Sequence, residues 1–210
     1  MRVLRPVLAA GILVLLAGPV LAQGERYATI AVRAGFTKAP TGDATDLASG
    51  QSFKGQSSFG AGAFVALGDR LHLGLTVDWA HHSVYIVNPN PPPEKIVIGG
   101  ANDEQWNLVH AFLKVSYDVV SMKTWTIALN AGPGMMVFSP NQVLRDAQGL
   151  RTDAHFALNG GATITWWFAD RIGLVASPQV DYAMKKTKGQ IYTNKGAAFF
   201  PITGGFQFKI

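Results

Sequence analysis

Residues 162–182, ATITWWFADRIGLVASPQVDY, alternate apolar with polar or small side chains on both sides of a four-residue connection. The first arm sets Ala162, Ile164, Trp166 and Phe168 against Thr163, Thr165 and Trp167. The second sets Ile172, Leu174, Ala176, Val180 and Tyr182 against Gly173, Ser177, Gln179 and Asp181. A period of two puts the sets on opposite faces of a β-hairpin. The pattern recurs at 59–79, where Leu67-Gly68-Asp69-Arg70-Leu71 parallels Phe168-Ala169-Asp170-Arg171-Ile172. Similar alternation at 27–37, 106–118, 125–137 and 198–210 fills out eight strands. The chain is therefore predicted to be all-β, an eight-stranded antiparallel up-and-down meander. Connections after even strands are short. Those after odd strands are long, at 38–56, 81–105, 139–152 and 183–196. Strand-like residues 84–87 and 96–98 flank the Asn88-Pro89-Asn90-Pro91-Pro92-Pro93 tip, so strands three and four are expected to continue as a projecting hairpin.

Alternation alone also fits a soluble barrel, and the placement of charge separates the two cases. Glu25, Glu94 and Glu104, the only glutamates of the chain, fall outside the strand cores. The charges within strands, Arg33, Asp78, Lys114, Asp118, Asp181 and Lys209, all lie on the face opposite the apolar one. An apolar exterior with a polar interior is the pattern of a transmembrane barrel. Aromatic residues gather in two sets. Tyr117, Trp125, Trp166, Phe168, Phe206 and Phe208 lie near the short turns; Phe36, Phe59, Trp79, Phe138, Phe156 and Tyr182 lie near the long connections. Two such sets suit two membrane interfaces.

The N-terminus reads as a secretory signal peptide. Arg2 and Arg5 precede an apolar run over 7–17, and small or compact residues at 18–22 precede an expected cleavage before Gln23. This divides the chain into a signal peptide, 1–22, and a barrel domain, 23–210. The chain has no cysteine, which excludes disulfides, thiolate metal sites and lipid attachment at a cysteine. Without Arg2 and Arg5 the formal charge falls from +5 to about +3, too small an excess to indicate a nucleic-acid partner.

The two Asp-Arg hairpins, the alternating short and long connections and the terminal Gly205-Phe206-Gln207-Phe208-Lys209-Ile210 resemble the bacterial outer-membrane β-barrel family, specifically the small OmpA/OmpX-type barrels, over the whole mature length. The resemblance implies a cell-outer-membrane location with short turns in the periplasm and long loops outside. It also implies contact with outer-membrane lipid and lipopolysaccharide, and recognition of the C-terminal strand by the assembly machinery. Family members usually end on an aromatic residue, whereas this chain ends on Ile210.

For function, the six interior charges are expected to form a paired network, because charges enclosed in a narrow barrel need partners. Phe64, Leu108 and Phe112, also on the inward face, line a possible apolar lumen. Lys185, Lys186, Lys188 and Lys195 make the last loop basic, suited to lipopolysaccharide phosphates or simply to water. His81 and Ser83, two apart at the outer end of strand three, resemble the His-x-Ser pattern of lipid A deacylase barrels. They occur early in the chain rather than late, and Glu94 is the acid nearest in sequence. The sequence favours a monomeric, non-catalytic barrel with a structural or surface-interaction role and no cofactor or metal. A narrow channel or carrier for small solutes, hydrophobic ones included, is the second reading, and a lipid A-modifying enzyme the third.

Overall fold

The computed structural model describes residues 27–38, 51–53, 56–87, 95–96, 105–142, 145–146, 151–184 and 196–210. Its eight long strands are β1 (Ala28–Lys38), β2 (Gln56–Ala66), β3 (Leu71–Val87), β4 (Gln105–Ser121), β5 (Trp125–Pro140), β6 (Asp153–Trp167), β7 (Ile172–Ala183) and β8 (Ala197–Lys209). Each pairs antiparallel with its neighbours in sequence, and β1 pairs with β8 from Thr29↔Lys209 to Lys38↔Phe200. The sheet is a closed barrel. Closure satisfies backbone donors and acceptors that lipid cannot, which is why a spanning sheet has no free edge. At the seam, Ala28 N–H donates to Ile210 O at 3.3 Å and Ile210 N–H to Ala28 O at 2.8 Å.

Three tight turns join the even strands to the next. Leu67 N–H donates to Leu71 O at 2.8 Å, Met122 N–H to Trp125 O at 2.8 Å, and Ala169 N–H to Ile172 O at 3.2 Å. The repeated Asp-Arg connections seen in the sequence are two of these three. A bulge between Asp118 and Val120 shifts the β4–β5 register just before the middle turn. Pro133, Pro178 and Pro201 lack the N–H a ladder needs. Each coincides with a two-residue gap in pairing, and the register resumes unchanged beyond it.

The outward face follows the predicted parity. Val32, Leu113, Leu129, Ile164, Leu174 and Ile202 are all exposed on the barrel exterior, and among the described strand residues no charge faces out between the two aromatic sets. An eleven-residue strand tilted by about 40° covers roughly 28 Å, enough for a hydrocarbon layer. Eleven of the twelve aromatic residues assigned to the belts are exposed. Phe138 is the exception, at 0% exposure. It follows outward-facing Val137, so alternation turns it into the barrel, where it packs against Phe199 with ring centroids 6.0 Å apart.

Beyond the loop end, β3 and β4 stay paired as far as Ser83↔Gln105, and Lys95–Ile96 pairs with Ile86 and Val87. The expected projecting hairpin is thus present. The 38–56 connection differs from expectation, because Gln51–Phe53 forms a second short strand on the other side of β3, paired with Val84–Ile86. Residues 1–26, the proline-rich tip and the basic run 185–195 lie outside the described residues.

Inside, large side chains lie over glycines of adjacent strands. Arg33 is flanked in register by Gly205 and Gly60. The Asp78 carboxylate fills the space beside Gly60, and the rings of Phe64 and Phe112 fill those beside Gly74 and Gly134. A small barrel has room for one large side chain per place, so large and small residues alternate around it. Gly60→Val should therefore force Asp78 away from Arg33 and destabilise the barrel by about 1–3 kcal/mol, the usual overpacking cost. Gly68→Ala, in a turn where nothing lies within 4 Å of the added carbon, should leave the urea unfolding midpoint unchanged.

Candidate functional site

The inward side chains fall into three groups. At the turn end, His72 Nε2 lies 3.1 Å from Asp118 Oδ2, and the Tyr27 ring packs on His72 at 5.9 Å. Lys209 reaches across from β8, its Nζ 4.0 Å from the Trp167 ring centroid and 5.5 Å from that of Tyr27. Cation–π contacts of this kind hold an ammonium without a carboxylate partner. Trp167 Nε1–H donates to Thr126 at 3.0 Å and Thr165 to Gln207 at 2.9 Å. These groups surround a recess with about 50 Å³ for water-sized solvent.

The middle group is ionic. Arg33 Nη2 bonds both Asp78 oxygens, at 3.1 and 3.2 Å, and joins β1 to β3 across Gly60 of β2. Asp181 on β7 accepts from His110 on β4 and from Asn159 on β6. Lys114 and Asn159 both donate to Gln179 Oε1, and Gln179 in turn donates to Ser177 at 2.6 Å. Lys114 is only 1% exposed. Hydrogen-bonding groups this deep are ordinarily partnered, and the network ties together five strands, β1, β3, β4, β6 and β7.

The outer group is mostly apolar, with His155 buried edge-on to Phe138, ring centroids 5.3 Å apart. Leu108, Phe112, Met136, Phe138 and Phe199 pack with Ala80, Ala157, Ala183 and Ala197, and none of the five large residues exceeds 1% exposure. His110 meets Phe112 and Phe199 edge-on, with centroids 6.4 and 5.9 Å away, so the ionic group abuts this cluster directly.

All six predicted interior charges face inward, but Arg33–Asp78 is the one direct ion pair that forms among them within the described residues. Asp118 and Asp181 are met by His72 and His110 instead, and Lys114 by a glutamine. Strand parity puts both histidines on the inward face, and a count of charges that takes imidazole as neutral passes over them. Phe64, Leu108 and Phe112 do not share a lumen. Leu108 and Phe112 belong to the outer cluster, while Phe64 lines the recess at the turn end. His81 shares the outward face with Trp79, 5.7 Å away, and its Nδ1 donates to Asn107 Oδ1 at 2.9 Å. The side chain of Ser83, Glu94 and the four lysines of the last loop lie outside the described residues. Among the described residues, no group of three His, Cys, Asp or Glu side chains is placed to hold a metal ion.

A closed antiparallel sheet, apolar outside and ionic within, defines the class: this is a small eight-stranded transmembrane β-barrel of the outer-membrane kind. Solved structures agree. Neisserial surface protein A is similar over 88% of this chain and 97% of its own, at 14% identity and TM-score 0.55. A major outer membrane protein of Thermus thermophilus gives 89% and 100%, 14% and 0.54. The outer membrane protein OprG of Pseudomonas aeruginosa gives 87% and 95%, 13% and 0.53. No family model and no curated protein matches the sequence. Identities this low carry the fold alone.

The ion pair across Gly60 generates a quantitative expectation. Asp78→Ala leaves the Arg33 guanidinium buried without its partner and should cost about 3–5 kcal/mol, whereas replacing both, as Arg33→Met with Asp78→Leu, should cost markedly less. Urea unfolding of the two variants in lipid vesicles measures the difference.

Proposed function

We propose that this protein is a closed outer-membrane barrel, a non-catalytic scaffold whose working surface is its loop end. The observation that carries this reading is the outer cluster. Five large apolar side chains at 0–1% exposure pack together at the loop end of the described barrel, directly above the ionic group. Interiors packed at this density exclude ions and solutes. A carrier needs a continuous path, and its proposed apolar lining, Leu108 and Phe112, is part of the obstruction. On this reading the interior charges are structural, tying β1 to β3 and β4 to β7. The projecting strands at 51–53, 84–87 and 95–96 then hold the outer loops above the membrane, where surface interactions take place. Export through the N-terminal signal segment and contacts of Lys185, Lys186, Lys188 and Lys195 with lipopolysaccharide phosphates belong to the same proposal.

Single-channel recording of the refolded barrel in a planar bilayer tests it. The native chain should show no steady openings, while Phe112→Ala combined with Phe199→Ala should produce them. Discrete openings of the native chain would replace the scaffold with a channel.

A further inference from the structure

The scaffold reading makes no use of the recess at the turn end. Inward-facing Tyr27, Thr126, Gln207 and Lys209 keep part of their surface exposed there, so the recess meets solvent on the turn face. Its 50 Å³ is room for about three water-sized groups.

Lys209 supplies the positive charge. Among the described residues its ammonium has no carboxylate within ion-pair distance and no hydrogen-bond acceptor; the ring faces of Trp167 and Tyr27 hold it, with centroids 4.0 and 5.5 Å away. A ring face occupies one side of an ammonium, and N–H bonds that point away from the ring remain for an acceptor. Two neighbours have spent their acceptors and kept their donors. Gln207 Oε1 accepts from Thr165 at 2.9 Å, which leaves the amide NH2 to donate. Thr126 Oγ1 accepts from Trp167 Nε1–H at 3.0 Å, so its own hydroxyl proton is available. Asp118, the carboxylate of the lining, is matched by His72, with Oδ2 3.1 Å from Nε2.

We propose that the turn-end recess is a binding site for a carboxylate group, with Lys209 as its cation and Gln207 and Thr126 as its neutral donors. Charge and size select this chemistry. A ligand ammonium would face Lys209 as a second cation, and a tetrahedral phosphate or sulfate, with five heavy atoms, exceeds the room. A flat carboxylate has three heavy atoms and two acceptor oxygens, and small sites of this type fix a ligand with a few placed polar groups against aromatic walls. The ligand is either a free small acid or the carboxylate end of a larger molecule presented at the turn face. The site is independent of the loop-end reading, which conductance of the native barrel would overturn without touching it.

The indole N–H resonance of Trp167, identified by its loss in Trp167→Phe, reports on the site through the bond to Thr126. Sodium acetate added to the refolded native barrel at constant ionic strength should shift it with half-saturation on the order of 1–10 mM, the range open to a ligand of so few atoms. Acetamide, alike in shape but uncharged, should bind at least tenfold more weakly, and methylammonium should leave the signal unmoved. Lys209→Met and Gln207→Glu should each weaken acetate at least tenfold. Gln207→Glu keeps an acceptor for Thr165 while replacing the donating amide, so it carries the test should Lys209→Met fail to fold. N-acetylglycylglycine separates the two sources: affinity within about threefold of acetate assigns the carboxylate end of a larger molecule, and a tenfold loss assigns a free small acid. The proposal is overturned by no saturable shift with acetate, by equal responses to acetate and acetamide, by a response to methylammonium in their place, or by unchanged acetate affinity in the folded variants.

Discussion

Arg33 and Asp78 face each other across a strand that has no side chain between them. That arrangement states the constraint on the whole molecule: a barrel wrapped in lipid can place charge only inward, and an eight-stranded barrel offers little inward room. Gly60 resolves the conflict by giving up its own volume to the Asp78 carboxylate. The same exchange recurs where Phe64 lies over Gly74 and Phe112 over Gly134. Glycine, otherwise a poor strand residue, is used here as the complement of each large inward neighbour. Each such pairing also opposes strand slippage, because moving β2 by one residue against β3 would set a side chain where the carboxylate sits.

The interior is graded along the barrel axis. Aromatic rings and a lysine line a recess at the turn end, ion pairs and amides occupy the middle, and phenylalanine, leucine and methionine pack in the outer part. Burying charge is costly unless it is partnered, and here the partners come from opposite walls: His110 on β4 meets Asp181 on β7. The ionic layer thereby braces the barrel across its diameter as well as along its ladders. The layer above it is mostly apolar, its one described histidine, His155, lying beside Asp153 at 3.3 Å. Together they stand between the loop end, where the projecting strands lie, and the recess at the turn end.

Fold and orientation were legible because a strand's parity is a local property. Once Ile164 points to lipid, Thr165 must point inward, and the same reasoning assigned Lys114, Asp118 and Asp181 to the interior. Phe138 shows the limit of reading residue type in place of parity. Its aromatic ring near a strand end suggests a membrane belt, yet its neighbour Val137 already occupies the outward position. The short strand Gln51–Phe53 was not legible either, since its pairing with Val84–Ile86 depends on how far β3 extends beyond the membrane.

Local alternation along the chain was enough to give an eight-stranded transmembrane barrel, the face each strand turns to lipid, and the set of charges that must live inside. Tertiary structure alone decided which of them meet. Strand tilt and stagger set the level at which each inward residue sits, and these are properties of the closed sheet rather than of any one segment. Thus residues 71 apart in sequence become the His110–Asp181 pair. By the same geometry Phe112 and Phe138 join the outer cluster while Phe64 lines the recess at the turn end.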